Sequence, residues 1–208
     1  MLLDLINLKN KYDLKINGVV HIGAHFGEEY PIYEKLKIKN LIFFEPLSSN
    51  YRELQKNVGS KAKIFNMALG NVEGEIEMFV ESANKGQSSS ILEPKLHLEQ
   101  YPHIVFNQRE KVKITKLDNF ISELTNINFI NIDVQGYELE VFKGALVFLK
   151  NVDYIMTEVN NAEVYQNCAK VDELDNFLSE YGFKRVETTW DGRTWGDAFY
   201  IKKNGINI

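Results

Sequence analysis

Short apolar runs alternate with segments of helical periodicity along most of the chain. Runs of strand length are Gly18–Gly23, Asn40–Glu45, Lys63–Met67, Asn128–Asp133 and Val152–Glu158. Helical patterns cover Glu28–Lys37, a stretch from a Ser48 or Ser49 cap to about Asn57, a short stretch near Leu117–Leu124, Tyr137–Leu149 and Val171–Tyr181. Alternation on Glu75–Val80 predicts a further strand, and Phe183–Thr188 with Asp197–Ile201 predict a closing strand pair. Strands and helices in this order predict βαβ units and a mainly parallel sheet.

The stretch from Glu81 to Glu110 departs from this pattern. It contains Gly86-Gln-Ser-Ser-Ser90 and two of the four prolines of the chain, Pro94 and Pro102. We interpret it as an irregular insertion that serves as a lid or a binding loop. The length of 208 residues is about that of one domain, so residues 1–208 are expected to form a single domain with this insertion.

Composition narrows the classes of function. The 24 basic and 29 acidic residues give a net charge of −5, which argues against broad nucleic-acid binding. The longest stretch without Asp, Glu, Lys or Arg is twelve residues, Ile16–Gly27, too short to span a membrane. Asp4 interrupts the apolar N-terminus, which has no pattern of a signal peptide. The single cysteine, Cys168, cannot form an internal disulfide, and we expect a soluble, cytoplasmic protein.

Ligands of open parallel sheets bind beyond the carboxyl ends of the strands. The residues at these ends are Gly23, Glu45, Met67, Asp133 and Glu158. They are therefore the first candidates for a binding site.

The loop Gly23-Ala-His-Phe-Gly27 joins a strand to a helix and can bring a ligand close to backbone N–H groups. The dinucleotide pattern G-x-G-x-x-G fails at His25 and Glu28, which favours a ligand without phosphates; a plain turn is the alternative. Glu45 follows Gly27 by 18 residues, and its two oxygens can accept both ribose hydroxyls of an adenosine. The alternative is a solvated strand-end glutamate.

Two further acids follow buried runs. Asp133 can bind a cofactor ammonium, a substrate hydroxyl or a metal, and Gly136 allows a tight turn after it. Glu158 can form a base–orienter pair with Asp133, because neighbouring carboxylates push their pKa values apart. Glu138 has an alternative role as an ordinary first-turn helix acid.

Other candidate residues carry weaker patterns. None of the four histidines forms the H-E-x-x-H pattern of zinc sites, and we expect no metal. His97 and His103 lie in the insertion, where surface positions are favoured over a substrate-facing base. Ser88–Ser90 is typical of a turn, with contact to an active site as the alternative. Trp190 and Trp195 flank a turn, and we favour packing over stacking on a sugar.

Together these residues resemble a known family, the FkbM-type S-adenosylmethionine-dependent methyltransferases. The resemblance runs from about Val19 to Lys202. The segments that carry it are Val19–Gly27, Phe43-Phe-Glu-Pro46, Asn66–Gly70, Ser88–Ser90, Leu117-Asp118, Ile130–Glu138 and Lys143-Gly-Ala145. Asp-Val-Gln-Gly-Tyr-Glu together with Phe-Glu-Pro is a specific combination.

The resemblance implies an α/β fold of the Rossmann-like class I methyltransferases. Its seven-stranded, mostly parallel sheet has one antiparallel strand and helices on both faces. The resemblance also implies transfer of a methyl group from S-adenosyl-L-methionine, which leaves S-adenosyl-L-homocysteine, to a hydroxyl of a small molecule, often a sugar or glycan.

The resemblance also assigns roles to individual residues. Gly23, Ala24 and Gly27 would lie against the methionine part, Glu45 would hold the ribose, and Asn66 with Ala68 would lie near the adenine. Our predicted cofactor site is Gly23, Ala24, His25, Gly27, Glu45, Pro46, Asn66, Ala68 and Asp133. Asp133 is the predicted main catalytic group, assisted by Glu158 or His25. The predicted substrate-binding residues are Ser89, Ser90, Gln135, Glu138 and Asn160.

Two positions depart from the family pattern. Asp is usual where this chain has His21, and Lys is frequent where it has Asn131. The competing hypothesis is therefore a non-catalytic binding module that has kept the fold and lost the cofactor. A nucleotide-sugar or NAD enzyme is a weaker alternative, because the phosphate pattern fails. The aromatic segment Trp190–Tyr200 can belong to the core or to the interface of a homodimer.

Overall fold

The computed structural model describes residues 1–203, in which helices and strands alternate along most of the chain. The helices are α1 (Leu5–Tyr12), α2 (Tyr30–Lys35), α3 (Ser48–Val58), α4 (Leu96–Gln100), α5 (Glu138–Lys143) and α6 (Val171–Glu180). The strands are β1 (Gly18–Ile22), β2 (Asn40–Phe44), β3 (Lys63–Phe65), β4 (Ala68–Leu69), β5 (Gly74–Val80), β6 (Gln108–Thr115), β7 (Phe129–Ile132), β8 (Tyr154–Asn160), β9 (Phe183–Trp190) and β10 (Trp195–Lys202). Short 3₁₀ turns cover Gly59–Lys61, Leu117–Phe120 and Phe148–Asn151.

Seven strands form the main sheet in the order β3-β2-β1-β7-β8-β10-β9. Strand β10 is antiparallel to both β8 and β9, and the remaining pairs are parallel. This confirms the predicted α/β fold with one antiparallel strand. The strand order reverses between β1 and β7, so a crevice opens at their carboxyl ends.

Apolar side chains cover both faces of the main sheet. On one face Ile22 and Ile132 pack in a cluster with Phe142 of α5 and Leu174 of α6. On the other face a second cluster contains residues of α1, α2 and α3 together with Phe43 of β2. Two covered faces explain why the central strands are mostly apolar.

The structure differs from the sequence predictions in several helices. Helix α1 was not predicted; Asp4 caps it by accepting hydrogen bonds from two backbone N–H groups. The predicted helix Tyr137–Leu149 ends at Lys143. At Gly144 a Cβ would lie 2.0 Å from the Gly70 carbonyl oxygen, so the chain passes too close to that backbone for a side chain. Helix α3 begins at Ser48, whose N–H donates to Glu110, so the carboxylate of β6 replaces the predicted serine cap.

A small second sheet, β4-β6-β5, packs beside the main sheet and was not predicted as a unit. Strand β6 begins at Gln108, inside the segment predicted as irregular, and α4 also lies in that segment. Most of residues 81–107 follow the irregular path that their composition indicates. Within residues 1–203 the structure contains no helix with the length and apolarity needed to cross a membrane.

Candidate functional site

Two cavities open at the carboxyl ends of the parallel strands. The larger cavity has a volume of about 540 Å³, and the smaller one has about 60 Å³. Their linings share the five residues Gly23, His25, Gln87, Asp133 and Gln135. The two cavities therefore meet at the ends of β1 and β7, where the strand order reverses.

The loop after β1 brings the ends of three strands together. Gly23 and Ala24 donate their backbone N–H groups to the Phe44 carbonyl at 3.0 Å. Gly23 has φ +76°, and a Cβ there would lie 1.9 Å from the Asp133 carbonyl oxygen. Only glycine fits this conformation and this close approach. The same approach places the backbone of Asp133 directly beside the loop.

Glu45 follows β2 and lines the smaller cavity. Its carboxylate accepts the N–H groups of His25 and Leu47, both at 2.9 Å. Burial raises the pKa of Glu45 to about 7, and these two hydrogen bonds only partly oppose the rise. A carboxylate has about four lone-pair sites, so two remain for a ligand. Asn66 lies behind this group, donating its amide to the carbonyl oxygens of Glu45 and Pro46.

A hydrogen-bonded bridge joins the two strand-end acids beyond β7 and β8. Gln135 donates its side-chain amide to Asp133 at 2.8 Å and to Glu158 at 2.7 Å. Gln135 has φ +54° and accepts a hydrogen bond from the Tyr165 hydroxyl at 2.7 Å. Burial, followed by the nearby charges of Asp133 and Glu138, raises the pKa of Glu158 well above its usual value. The pair therefore holds a proton on Glu158, at the edge of the larger cavity.

Glu138 completes a group of three carboxylates with Asp133 and Glu158, whose oxygens lie within 4.8 Å of one another. This spacing could suit a cation. However, one oxygen of Glu138 accepts the N–H groups of Val134 and Gly136 at 3.0 and 3.1 Å. The Gln135 amide already lies between the other two acids. Glu138 thus holds the turn after β7, and burial raises its pKa.

His25 ties the loop after β1 to the insertion. Its ring nitrogens lie 2.7 Å from the Glu28 carboxylate and 2.9 Å from the Lys85 carbonyl. Both partners can only accept, so the ring fits this place with both nitrogens protonated. Burial lowers the pKa of His25, but the hydrogen bonds to Glu28 and Lys85 outweigh it and give a net rise. An imidazolium has no lone pair with which to act as a base.

The two departures from the family pattern contact each other. His21 and Asn131 are register partners on β1 and β7, and both are buried. The His21 ring lies 3.2 Å from the Tyr33 hydroxyl, and the Asn131 amide donates to that hydroxyl at 2.7 Å. Burial lowers the pKa of His21. A neutral, hydrogen-bonded pair thus stands where the family pattern would put an acid and a base.

Aromatic side chains line part of the larger cavity. The Trp195 indole N–H donates to the Tyr101 hydroxyl at 2.8 Å, which donates to Asp191 at 2.9 Å. Tyr165 is fully buried, and its hydroxyl bonds Gln135. These contacts fix the rings, so the aromatic part of the cavity is already formed without a ligand.

The predicted site residues separate into two groups. The residues that line at least one cavity are Gly23, Ala24, His25, Glu45, Pro46, Ala68, Ser89, Asp133, Gln135 and Glu158. The residues that line neither are Gly27, Asn66, Ser90, Glu138 and Asn160. Ser90 donates to the Gln135 carbonyl at 2.7 Å, and Gly27 with φ +81° packs near Leu54. Asn160 is fully buried and has no side-chain partner within residues 1–203.

Sequence reasoning missed part of the larger cavity. Tyr101, Tyr165 and Trp195 line it, and so does His97, although we predicted surface positions for the insertion histidines and packing for Trp195. Trp190, by contrast, is 36% exposed and lies outside both cavities. The aromatic enrichment near the insertion was visible in the sequence, but its orientation depends on contacts distant along the chain.

Comparison with known proteins places this arrangement in a class. The strand order and the crevice at its reversal define the fold of S-adenosylmethionine-dependent methyltransferases. The sequence model of a protein family, the methyltransferase FkbM domain, matches residues 21–185 of this chain. The chain belongs to the FkbM methyltransferase family, which confirms the resemblance seen in its motifs.

Several relatives carry related names. The 2-O-methyltransferase NoeI of Sinorhizobium fredii is 30% identical over 159 residues, which are 71% of this chain and 65% of that protein. The chain thus spans less than two thirds of this relative's length. A Streptococcus pneumoniae protein assigned as a tRNA (m1A22) methyltransferase, in complex with S-adenosyl-L-methionine, has a TM-score of 0.52, 15% identity, and coverage of 97% of this chain and 73% of that one.

A methyltransferase of Aquifex aeolicus, described as dependent on S-adenosylmethionine, has a TM-score of 0.51 and 10% identity. The match covers 96% of this chain and 90% of that one. At such identities the two solved structures support the fold alone.

Proposed function

We propose that the protein is an S-adenosylmethionine-dependent O-methyltransferase that methylates a hydroxyl of a sugar, a glycan or another small molecule. The observation that carries the proposal is the meeting of the two cavities at Gly23, Asp133 and Gln135. The smaller cavity offers a buried carboxylate for a ribose, and the larger one has room for an acceptor. A site for two substrates that react with each other needs this kind of junction.

The residues present fit S-adenosylmethionine. Glu45 keeps two lone-pair sites for a ribose diol, and apolar side chains such as Leu47, Met78 and Ile91 line the smaller cavity around it. Its volume of about 60 Å³ is below that of ordinary ligand pockets, about 300–1,000 Å³. Gln87 and Ser89 of the insertion line it as well, so we expect the insertion to shift outward when an adenosyl group enters.

When bound, the cofactor supplies a methyl group on a positively charged sulfur. The chain's own residues do the remaining work. An alcohol is a weak nucleophile, so a positioned base must take its proton. Asp133 lines both cavities, and Glu158 holds the proton of the acidic pair, so Asp133 is the group that accepts the acceptor's hydroxyl proton. Gln135 fixes the position of both acids.

His25 takes a positioning role in this proposal. Both of its ring nitrogens bind acceptors, so it holds the insertion over the loop after β1 rather than assisting as a base. Gly23 and Ala24 remain the proposed neighbours of the methionine part. Glu138 supports the turn that carries Asp133 and Gln135, which makes its proposed contribution to substrate binding indirect.

A binding and turnover experiment tests the proposal. We expect micromolar calorimetric binding of S-adenosylmethionine and S-adenosylhomocysteine but not of NAD, and loss of this binding in Glu45→Ala. Transfer of a labelled methyl group to sugars and other alcohols would then identify the acceptor. Folded protein that binds neither compound would refute the proposal and favour the binding module, with His21 in place of the usual acid.

Location, assembly and acceptor class extend this proposal. A cytoplasmic location agrees with the free, buried Cys168. Most of β10 is buried in the sheet, whereas Trp190 is partly exposed; a homodimer stays a prediction, and light scattering on the purified protein tests it. The net charge of −5 favours a small acceptor over nucleic acid.

A further inference from the structure

His97 lies in α4 of the insertion and is 5% exposed. Its ring lies among Tyr101, Phe106 and Tyr165, with centroid distances of 5.1, 5.2 and 5.5 Å. It also lines the larger cavity. An imidazole enclosed by three aromatic rings and open only to a cavity is an unusual core residue.

The Nδ1 atom of His97 is buried and has no hydrogen-bond partner within residues 1–203. Buried polar atoms of native proteins are nearly always paired, because an unpaired one costs stability. An apolar side chain at this position could pack against the same three rings without leaving a buried polar atom unpaired. Packing in the free protein therefore does not explain why a histidine occupies this position.

Burial lowers the pKa of His97, and the more distant Glu81 opposes this only in part. The ring is thus neutral near pH 7, with one nitrogen that donates and one that accepts. A hydroxyl of a polyol matches either kind of nitrogen, since a hydroxyl can both donate and accept.

We propose that His97 is an acceptor-binding residue of the larger cavity, which holds a hydroxyl of the substrate through a ring nitrogen while the Tyr101–Trp195 pair contacts the ring that bears it. This rests on the proposed function, because it assigns the larger cavity to the acceptor. His97 and the acidic bridge are connected through Tyr165, whose ring packs on His97 and whose hydroxyl bonds Gln135.

The first test is stability, and it needs no ligand. His97→Phe replaces an unsatisfied imidazole by an apolar ring among aromatic neighbours. We expect the melting temperature of the free protein to stay unchanged or to rise by about 2–4 °C. His97→Leu tests the same point with a smaller side chain. A fall of more than about 4 °C in both variants would show that the imidazole stabilises the fold, and would overturn the inference.

The second test is binding, with Trp195 as the reporter. Trp190 and Trp195 are the two tryptophans of the chain, so Trp190→Phe leaves Trp195 as the sole tryptophan to be excited selectively and changes a residue outside both cavities. Methyl glycosides of hexoses, 6-deoxyhexoses and pentoses are titrated into this protein, saturated with S-adenosylhomocysteine. We expect at least one glycoside to quench or shift the emission of Trp195.

The same titration is repeated after adding His97→Phe. We expect the glycoside affinity to fall about tenfold, which is the loss of one hydrogen bond, and the affinity for S-adenosylhomocysteine to change less than twofold. His97→Asn, which keeps a donor and an acceptor, should retain more of the affinity. Equal glycoside affinity with His97 and with Phe would overturn the inference, and so would the absence of glycoside binding to the Trp190→Phe protein.

The two proposals fail in different ways. If calorimetry shows no binding of S-adenosylhomocysteine but His97→Phe still weakens glycoside binding, the methyltransferase proposal fails and His97 binds glycosides in a binding module. If S-adenosylhomocysteine binds and His97→Phe leaves glycoside affinity unchanged, the role of His97 fails and the proposed function stands.

Discussion

The buried carboxylate of Glu45 should make cofactor binding depend on pH. To accept two ribose hydroxyls, Glu45 must be ionised, yet burial raises its pKa to about 7 in the free protein. Affinity for an adenosyl ligand should therefore rise as pH increases to about 7 and level off above. Below that value each pH unit should weaken binding about tenfold, because one proton must be released for each ligand bound.

Ionisation of Glu45 also lowers the stability of the free protein. A rise of the pKa from 4.5 to about 7 corresponds to about 3 kcal/mol. The folded pKa lies above the ordinary value, so this stability is present below about pH 4.5 and is lost as the pH rises through about 7. Glu45→Gln removes the charge, but the side-chain NH₂ group of the glutamine then faces one of the two backbone N–H donors. This unmade hydrogen bond should cost about 1 kcal/mol of stability. We expect a net gain of about 2 kcal/mol at pH 8 and a weaker affinity for the ligand.

Calorimetry from pH 5.5 to 8.5 checks this, with 5′-methylthioadenosine beside S-adenosylhomocysteine. The former has the ribose without an amino-acid group, so its pH dependence isolates Glu45. Urea unfolding at pH 5.5 and pH 8 measures the stability. Glu53→Gln, an exposed change on α3, is the matched control and should alter neither quantity. A flat affinity profile for the wild-type protein, or an unchanged profile in Glu45→Gln, would refute the reasoning.

Three further predictions concern the rest of the site. Asp133→Asn should lower methyl transfer by about 10²–10⁴-fold and leave calorimetric binding of S-adenosylhomocysteine nearly unchanged; activity within tenfold of wild type would exclude Asp133 as the base. Gly23→Ala should abolish folding or sharply lower the melting temperature, because its Cβ would lie 1.9 Å from a carbonyl oxygen. Gly59→Ala has open space around its Cβ, so it should cost only the backbone strain of φ +61° and ψ −142°, about 1–3 kcal/mol. His21→Asp should lower the free energy of unfolding by about 3–5 kcal/mol, because it buries an unpaired charge. In urea unfolding, the double variant His21→Asp/Asn131→Lys should recover part of this loss. If the losses of the two single variants simply add, His21 and Asn131 are not coupled.

The sequence was sufficient for the main sheet but not for all helices. Central strands such as β1 and β7 are mostly apolar, and burial on both faces makes them recognisable. Helix α5 was predicted too long because the apolar period continues to Leu149, while the close approach of Gly144 to Gly70 is a contact between distant residues. Helix α1 was not predicted, although Asp4, whose carboxylate caps it, stands directly before its first residue in the sequence.

The candidate site was likewise predictable from the sequence only in part. Strand-end residues such as Glu45 and Asp133 were accessible to sequence reasoning, since parallel strands place their carboxyl ends at one edge. The bridging role of Gln135 and the engagement of both His25 nitrogens depend on side-chain partners from other segments. His97 was predicted at the surface, and only the folded insertion encloses it.

The two cavities share five lining residues, but each also has a wall of its own. The proposed cofactor cavity relies on the ends of β1 and β2, which the sheet's core holds in place. The larger cavity takes much of its wall from the insertion and includes Trp195 at the start of the antiparallel strand β10, so this part of its wall lies outside the parallel strands. Mutation can therefore remodel the wall that selects an acceptor while the machinery for methyl donation stays intact, so new acceptor preferences can evolve without rebuilding the catalyst.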